Sequence, residues 1–313
     1  MEAPRRLGRY RLLRRIARGG MGEVHLGELQ APGGVHRLVA VKLLVEPNAE
    51  AESALVSGAR LAALISHPNV VQLLDAGIDD GIAWFAMEFV AGPSLAELFD
   101  AAAGNIPPWV AARLAADTCA ALHAVHEATD QAGAALQIVH RDVTPHNVLV
   151  SSSGFIKLAD FGIARSALHH LLTKTGVVKG KLGYLSPEQA GGGSVDRRSD
   201  MFSLGILLWE LLSGARLFKQ ATEGETMAAI LRAEVPPIRD RAPHVPPALE
   251  RIAERALQKD PGARFANALE MQRALETALQ SSGAHVGPAE VAQLLATVPA
   301  GDAQKAVEWV RKH

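Results

Sequence analysis

The apolar residues of this chain change their period once, and that change constrains the architecture more than any other feature. Up to about residue 90, short runs rich in β-branched and aromatic residues occur at 10–16, 24–29, 38–45, 70–74 and 82–88, around one Ala- and Leu-rich helical stretch at 49–65. After Gly92 the spacing becomes helical, over 94–103, 107–127, 197–213, 222–233, 247–258 and 265–280, with short strands only near Val148 and Phe155. The pattern predicts a β-rich lobe over residues 1–90 and a helical lobe over 91–280. The boundary falls at 88–93, where a strand end meets Gly-Pro. Past residue 280 a Ser-Ser-Gly linker leads to two short amphipathic patterns, 289–296 and 303–311. Residues 281–313 thus form a helical extension whose apolar faces could dock on the core or on a partner.

Composition narrows the function classes. With 313 residues, 48% hydrophobic and 21% charged, the chain has the balance of a globular protein and not of a disordered one. Lys plus Arg (32) nearly cancel Asp plus Glu (33), which removes the electrostatic reason to expect a nucleic acid or an anionic membrane as partner. The local exception, Arg5, Arg6, Arg9, Arg11, Arg14 and Arg15, reads as a solvated face on a first strand. A lone cysteine, Cys119, makes no internal disulfide and no cysteine zinc site, and its Ala-rich setting suits a core position in a reducing compartment. The start lacks a signal-peptide apolar stretch, and the most apolar segment, 202–212, is too short to span a bilayer. The expectation is a soluble, cytoplasmic chain; a membrane anchor beyond His313 stays open.

Three motifs carry chemistry. Gly19-Gly20-Met21-Gly22-Glu23-Val24 lies between two strands, where glycines let backbone amides approach a phosphate, although such a cluster also makes an ordinary hairpin turn. Lys42, in Val39-Ala40-Val41-Lys42, shares a strand face with Ala40 and needs an anion unless its head snorkels to water. The decisive segment runs from Val139 through His140-Arg141-Asp142-Val143-Thr144-Pro145-His146-Asn147 to Val150, followed by Ala159-Asp160-Phe161-Gly162. Two acids and an amide provide a carboxylate able to orient a hydroxyl and an oxygen pair suited to a hard cation such as Mg²⁺, the requirements of phosphoryl transfer. Ser186-Pro187-Glu188 closes the series.

With these motifs in this order the chain resembles the protein kinase family over about residues 9–278. The wording Gly-Gly-Met-Gly-Glu-Val, His-Pro-Asn, Met-Glu-Phe-Val and Tyr-Leu-Ser-Pro-Glu-Gln is most similar to the bacterial Hanks-type serine/threonine kinases. The resemblance implies a bilobal α+β fold: a five-stranded antiparallel sheet with one major helix, then a helical lobe. It also implies ATP with Mg²⁺ or Mn²⁺ in the cleft and transfer of the γ-phosphoryl group to Ser or Thr of protein substrates. On that resemblance, and not from spacing, Lys42 would hold the α and β phosphates, Asp142 would act as base, and Asn147 with Asp160 would ligate the metal. Ile16, Ala17, Gly19, Gly20 and Gly22 would cover the nucleotide, while Val24, Ala40 and Leu149 would sandwich the adenine. Met87 would back the pocket, and the backbone from Glu88 to Val90 would read the purine edge. Glu188 and Arg264 match the family's buried ion pair, and Asp200 matches the acid that braces the catalytic loop. Thr173 and Thr175 match activation-loop phosphorylation sites, with Arg141 as phosphate receptor and a kinase homodimer as the arrangement for phosphorylation in trans.

The sequence departs from the family pattern at three places. Ala17 stands where the first glycine is usual. Gly58 stands where the resembling kinases carry the helix glutamate that pairs with the strand lysine, and Glu52 lies nearly two helical turns away. Lys42 could then pair with Asp160 or the phosphates, which leaves open, beside a competent kinase, a nucleotide-binding pseudokinase or scaffold. Finally, Thr144 and Lys181 exchange the residue types usual at their two positions, so that Lys181 is expected to supply the cation near the transferred phosphate with Thr144 as its partner. The pairs His169/His170 and His123/His126 lack a third spaced ligand and read as surface or packing residues.

Overall fold

A computed structural model describes residues 5–19, 22–31, 35–44, 58–59, 61–160 and 182–312. Its first part is an antiparallel sheet of β1 (Arg6–Leu7), β2 (Tyr10–Gly19), β3 (Gly22–Ala31), β4 (Val35–Leu44), β5 (Leu73–Asp79) and β6 (Ile82–Glu88), in the order β1-β2-β3-β4-β6-β5. The sheet has six strands where sequence reading expected five. The extra strand, β1, is two residues long, too short to show a period, and exists because Gly8 at φ 51° turns Leu7 back onto Tyr10. The strand expected at 70–74 begins three residues later. Val71 instead donates its N–H to the Leu158 carbonyl at 2.9 Å, and Val70 bridges the same residue, so this segment ties the sheet to the helical lobe.

Strand alternation sets the two faces of the sheet. Val39, Val41 and Leu43 on β4 pack with Leu7, Tyr10, Leu12, Trp84 and Ala86 on one face. Ala40 and Lys42 point to the other face, toward the helical lobe, as the alternation requires. The arginine cluster is largely exposed, as expected, but not unpartnered: Arg9 meets Asp75 at 3.1 Å, Arg11 meets Glu28 at 2.7 Å and Arg15 meets Glu23 at 3.0 Å. Of the helix expected at 49–65, residues 58–59 and 61–63 are helical and the rest lies outside the described residues, apart from 64 and 65, which follow its end.

The second lobe contains α1 (Leu95–Ala101), α2 (Pro108–His126), the hairpin β7 (Val148–Val150) and β8 (Ile156–Leu158), α3 (Pro187–Ala190), α4 (Arg197–Ser213), α5 (Glu223–Arg232), α6 (Pro247–Ala256), α7 (Ala268–Ser281), α8 (Pro288–Ala296) and α9 (Asp302–Lys312). Helix α4 is buried on all sides from Ser199 to Leu212, so it forms the axis of the core. It starts at Asp196, which accepts from Arg198 N–H, and stops at Gly214 in the left-handed region. Cys119 is fully buried in α2. Helices α8 and α9 pack on the body of the molecule. Val291 and Ala306 are 0% and 1% exposed.

Candidate active site

The backbone of the loop between α2 and β7 is held in shape by side chains of the surrounding helices and by its own. Arg141 has φ 62°, a conformation costly for a residue with a Cβ. Asp200, the fourth residue of α4 and 1% exposed, accepts N–H from both His140 and Arg141 at 2.8 Å. His126, from the last turn of α2, adds a 2.7 Å hydrogen bond to the same carboxylate. Sequence reading placed Asp200 in this bracing position but took His126 for a packing residue. The bond to Asp200 spans 74 positions, and no local signal marks it. Gln189 then donates to the Arg141 carbonyl at 3.2 Å, tying the loop to α3.

His140 fixes the next turn. Its Nδ1 accepts the Asp142 N–H at 3.3 Å, and its Nε2 donates to the Ala159 carbonyl at 3.1 Å, an arrangement that requires the neutral ring. Complete burial agrees, pushing its pKa below the ordinary histidine value. Asn147 donates through Nδ2 to the Asp142 carbonyl at 2.8 Å and to Asp142 Oδ2 at 2.9 Å, and its own carbonyl accepts Ala159 N–H. Asp142, Asn147 and the approach to Asp160 are thereby one hydrogen-bonded unit.

Across the cleft, Lys42 Nζ lies 2.6 Å from Asp160 Oδ2, joining β4 to the end of the β8 segment. Gly58, at the position where the family pattern has a glutamate, is helical and buried, and it brings no carboxylate. Among the described residues, Asp160 is the anion at Lys42. Asp160 itself has φ 54°, the second left-handed residue of the site.

A cavity of about 360 Å³ opens between the lobes. Ile16, Ala17, Val24, Ala40, Met87, Glu88, Val90, Asn147, Leu149 and Asp160, all singled out from sequence, line it. Gly19 and Gly22 face one another in the β2–β3 register and are not among its walls. Gly22, at φ 142°, is packed so closely that an added Cβ would lie 1.8 Å from the Leu43 carbonyl oxygen. Gly20, Thr173, Thr175 and Lys181 lie outside the described residues, as do His169 and His170. Residues the sequence reading missed are Val71, Gly92, Ser94, Glu97, His146, Ala159, Asp302 and Ala303. Ser94-x-x-Glu97 is a legible capping box, with Glu97 returning to Ser94 N–H at 2.7 Å; nothing local marks Asp302.

Beneath the site, Arg264 and Glu188 form a two-pronged pair at 2.7 and 2.9 Å, as the resemblance implied. Arg264 also donates to the carbonyls of Gln258, Arg198 and Lys259, so its buried guanidinium is fully engaged. Burial would raise the Glu188 carboxyl, but Arg264 and Ser199 outweigh it and hold the pKa below the usual carboxylate value.

An apolar slot walled at its polar end by Asp160 and Asn147, with Lys42 bonded to Asp160 behind it, is a shape and a donor set that fit a magnesium nucleotide. The protein kinase domain family matches residues 10–278. This chain belongs to the protein kinase family. Among its relatives, it is 37% identical over 278 residues to the tyrosine-protein kinase MasK of Myxococcus xanthus, covering 87% of this chain and 43% of that protein. It is 37% identical to the serine/threonine-protein kinase PrkC of Bacillus subtilis, covering 88% and 41%, and 35% identical to PknD of Mycobacterium tuberculosis, covering 89% and 41%. The kinase domain of Mycobacterium tuberculosis PknI superposes with a TM-score of 0.65 at 26% identity, over 88% of this chain and 98% of that one. The chain spans about two fifths of the length of these curated relatives. Among the described residues, no helix is long and apolar enough to cross a membrane.

Proposed function

We propose that this kinase domain transfers the γ-phosphoryl group of ATP to Ser or Thr hydroxyls of protein substrates. The observation that carries the reading is the direct hydrogen-bonded pairing of Asp142 with Asn147 and of Lys42 with Asp160, with Asn147 and Asp160 walling the polar end of an apolar cavity. Bound ATP with Mg²⁺ or Mn²⁺ would supply the transferable group and the charge neutralisation that activates it. Asn147 and Asp160 would hold the metal through oxygen, and Lys42 would face the phosphates. Asp160 orients the Lys42 side chain, and bound phosphates would compete for the same Nζ. Asp142, held by Asn147, orients the acceptor hydroxyl and receives its proton. Val24, Ala40, Met87 and Leu149 exclude water around the base, and residues 88–90 edge it.

The acceptor preference rests on the serine/threonine names of PrkC and PknD; MasK carries a tyrosine name. The pseudokinase alternative gains no support from relatives that are named as kinases. The test is incubation with labelled ATP, Mg²⁺ and a basic protein, beside Asp142→Asn, followed by phosphoamino-acid analysis. Label on Ser and Thr, abolished in the variant, supports the reading. Label equal in both proteins, or on tyrosine alone, overturns it.

Thr173 and Thr175 are proposed autophosphorylation sites, phosphorylated by a second copy, with Arg141 as receptor. Among the described residues no acidic side chain pairs with the Arg141 guanidinium, which suits it to a phosphate. Lys181 is proposed as the cation near the transferred group. Its intended partner, Thr144, is 2% exposed and its hydroxyl has no hydrogen-bond partner among the described residues. Lys181→Ala is expected to slow transfer about a hundredfold while leaving ADP affinity within twofold, the signature of a contact made in the transition state; an unchanged rate rejects the role.

A further inference from the structure

The family match ends at residue 278, yet two walls of the cavity between the lobes lie beyond it, Asp302 and Ala303. The chain reaches them by a defined path. Helix α8 seats on the turn of the β7–β8 hairpin, where Gly154, at φ 84°, leaves room for the helix start. A Cβ there would lie 1.8 Å from the Pro288 carbonyl oxygen. Val291 and Leu295 are buried beneath it. The chain then passes the hinge at Gly301, which is buried and whose added Cβ would meet Pro93 and Glu97 Oε1 at 3.1 Å.

Helix α9 starts there and crosses to the other lobe. Asp302 donates its N–H to Glu97 Oε1 at 3.0 Å, and further along the Arg14 guanidinium of β2 lies over the Trp309 ring at 5.8 Å. Ala303, Ala306 and Val310 recur at i, i+3 and i+7, the spacing of one helix face. Ala306 is 1% exposed. The segment therefore touches the helical lobe at β7–β8 and α1, and the sheet at β2, the strand that roofs the cavity.

We infer that residues 288–312 complete the nucleotide site as a strap across its mouth, with the Asp302 carboxylate accepting a hydrogen bond from a ribose hydroxyl. This rests on the nucleotide reading given above. With the base against residues 88–90 and the phosphates at Lys42 and Asp160, the sugar lies between them, at the mouth. Two carboxylates line the cavity there, Glu97 and Asp302. Glu97 is already occupied: Oε2 accepts from Ser94 N–H and Ser94 Oγ, and Oε1 accepts from Asp302 N–H. Among the described residues the Asp302 carboxylate carries only a long ion pair, 3.6 Å to Lys305, and keeps acceptor capacity for a diol.

The test is isothermal titration of the full chain with ADP and with 2′,3′-dideoxy-ADP, which lacks the hydroxyls. The native chain is expected to prefer ADP about tenfold, roughly what one hydrogen bond to a charged group contributes. Asp302→Ala should reduce that preference below about twofold while leaving dideoxy-ADP affinity unchanged. Trp309→Ala should weaken ADP binding by loosening the strap, and Trp309→Phe, which keeps an aromatic face under Arg14, should restore it. If Asp302→Ala retains the tenfold preference, the sugar contact is wrong; if both Trp309 variants bind ADP as the native chain does, the strap does not act on the site. A native chain that binds neither nucleotide overturns the nucleotide reading itself, and this inference with it.

Discussion

Asp200 is one carboxylate that offsets the cost of an unfavourable backbone. A left-handed Arg141 costs about 1–2 kcal/mol, and two N–H bonds to a buried charge return more than that. Asp200→Ala would strand both donors and the His126 ring. We expect a loss of about 3–5 kcal/mol in urea unfolding and a phosphoryl-transfer rate at least a hundredfold lower. Arg264→Ala leaves the buried Glu188 without its counter-charge and should cost a similar 3–5 kcal/mol. The pH dependence follows from His140 and Glu188. The folded pKa of His140 lies below the ordinary 6.5, so the unfolded chain takes up a proton that the folded one refuses. Stability is full above about pH 6.5 and falls as the pH drops below it. Glu188 is also depressed, from 4.5, so its contribution is present above that value and is lost as pH falls through the lower folded one. Thermal melts between pH 8 and 3 should show both losses, and Glu188→Gln should remove only the second.

Among the elements, the hairpins near Trp84 show how glycine positions a bulky ring. Trp84 stacks edge-on against Tyr10, centroids 5.5 Å apart, and donates to Asp79. Gly77, its neighbour on β5, is so close that an added Cβ would lie 2.6 Å from Trp84 Cζ2. The ring is 4% exposed and has no room to retreat, so Gly77→Ala should destabilise by about 1–3 kcal/mol. Gly224, in the first turn of α5, has open space within 4 Å of where a methyl would sit, and no positive φ. Gly224→Ala is expected to stabilise by about 0.4–1 kcal/mol in the same unfolding assay. Opposite signs for one substitution type would separate packing from chain entropy.

For the whole molecule, the cavity takes its walls from β2, β3, β4, the segment at 87–92, the catalytic loop and α9. A ligand held there bridges both lobes and resists their separation. At a concentration about a hundred times its Kd, ADP with Mg²⁺ should add roughly 2.7 kcal/mol of stability, seen as a rise in Tm of several degrees. Asp160→Ala, which removes the partner of Lys42 and a proposed metal ligand, should abolish the magnesium-dependent part of that rise.

Local residue order was enough to specify most elements and most of the site. Periodicity placed the long helices within a few residues, α4 without error, because their apolar faces repeat along the chain. The catalytic loop was legible because its residues are consecutive and their chemistry is distinctive. What the order of residues could not specify was anything that depends on distant partners. The shift of β5 follows from Val70 and Val71 bonding to Leu158, the bracing role of His126 from a contact 74 positions away, and Asp302 at the cleft from one 205 positions away. Propensity and period act over a few residues, whereas these contacts arise only when burial of the core folds remote segments together, and so only the tertiary structure decided them.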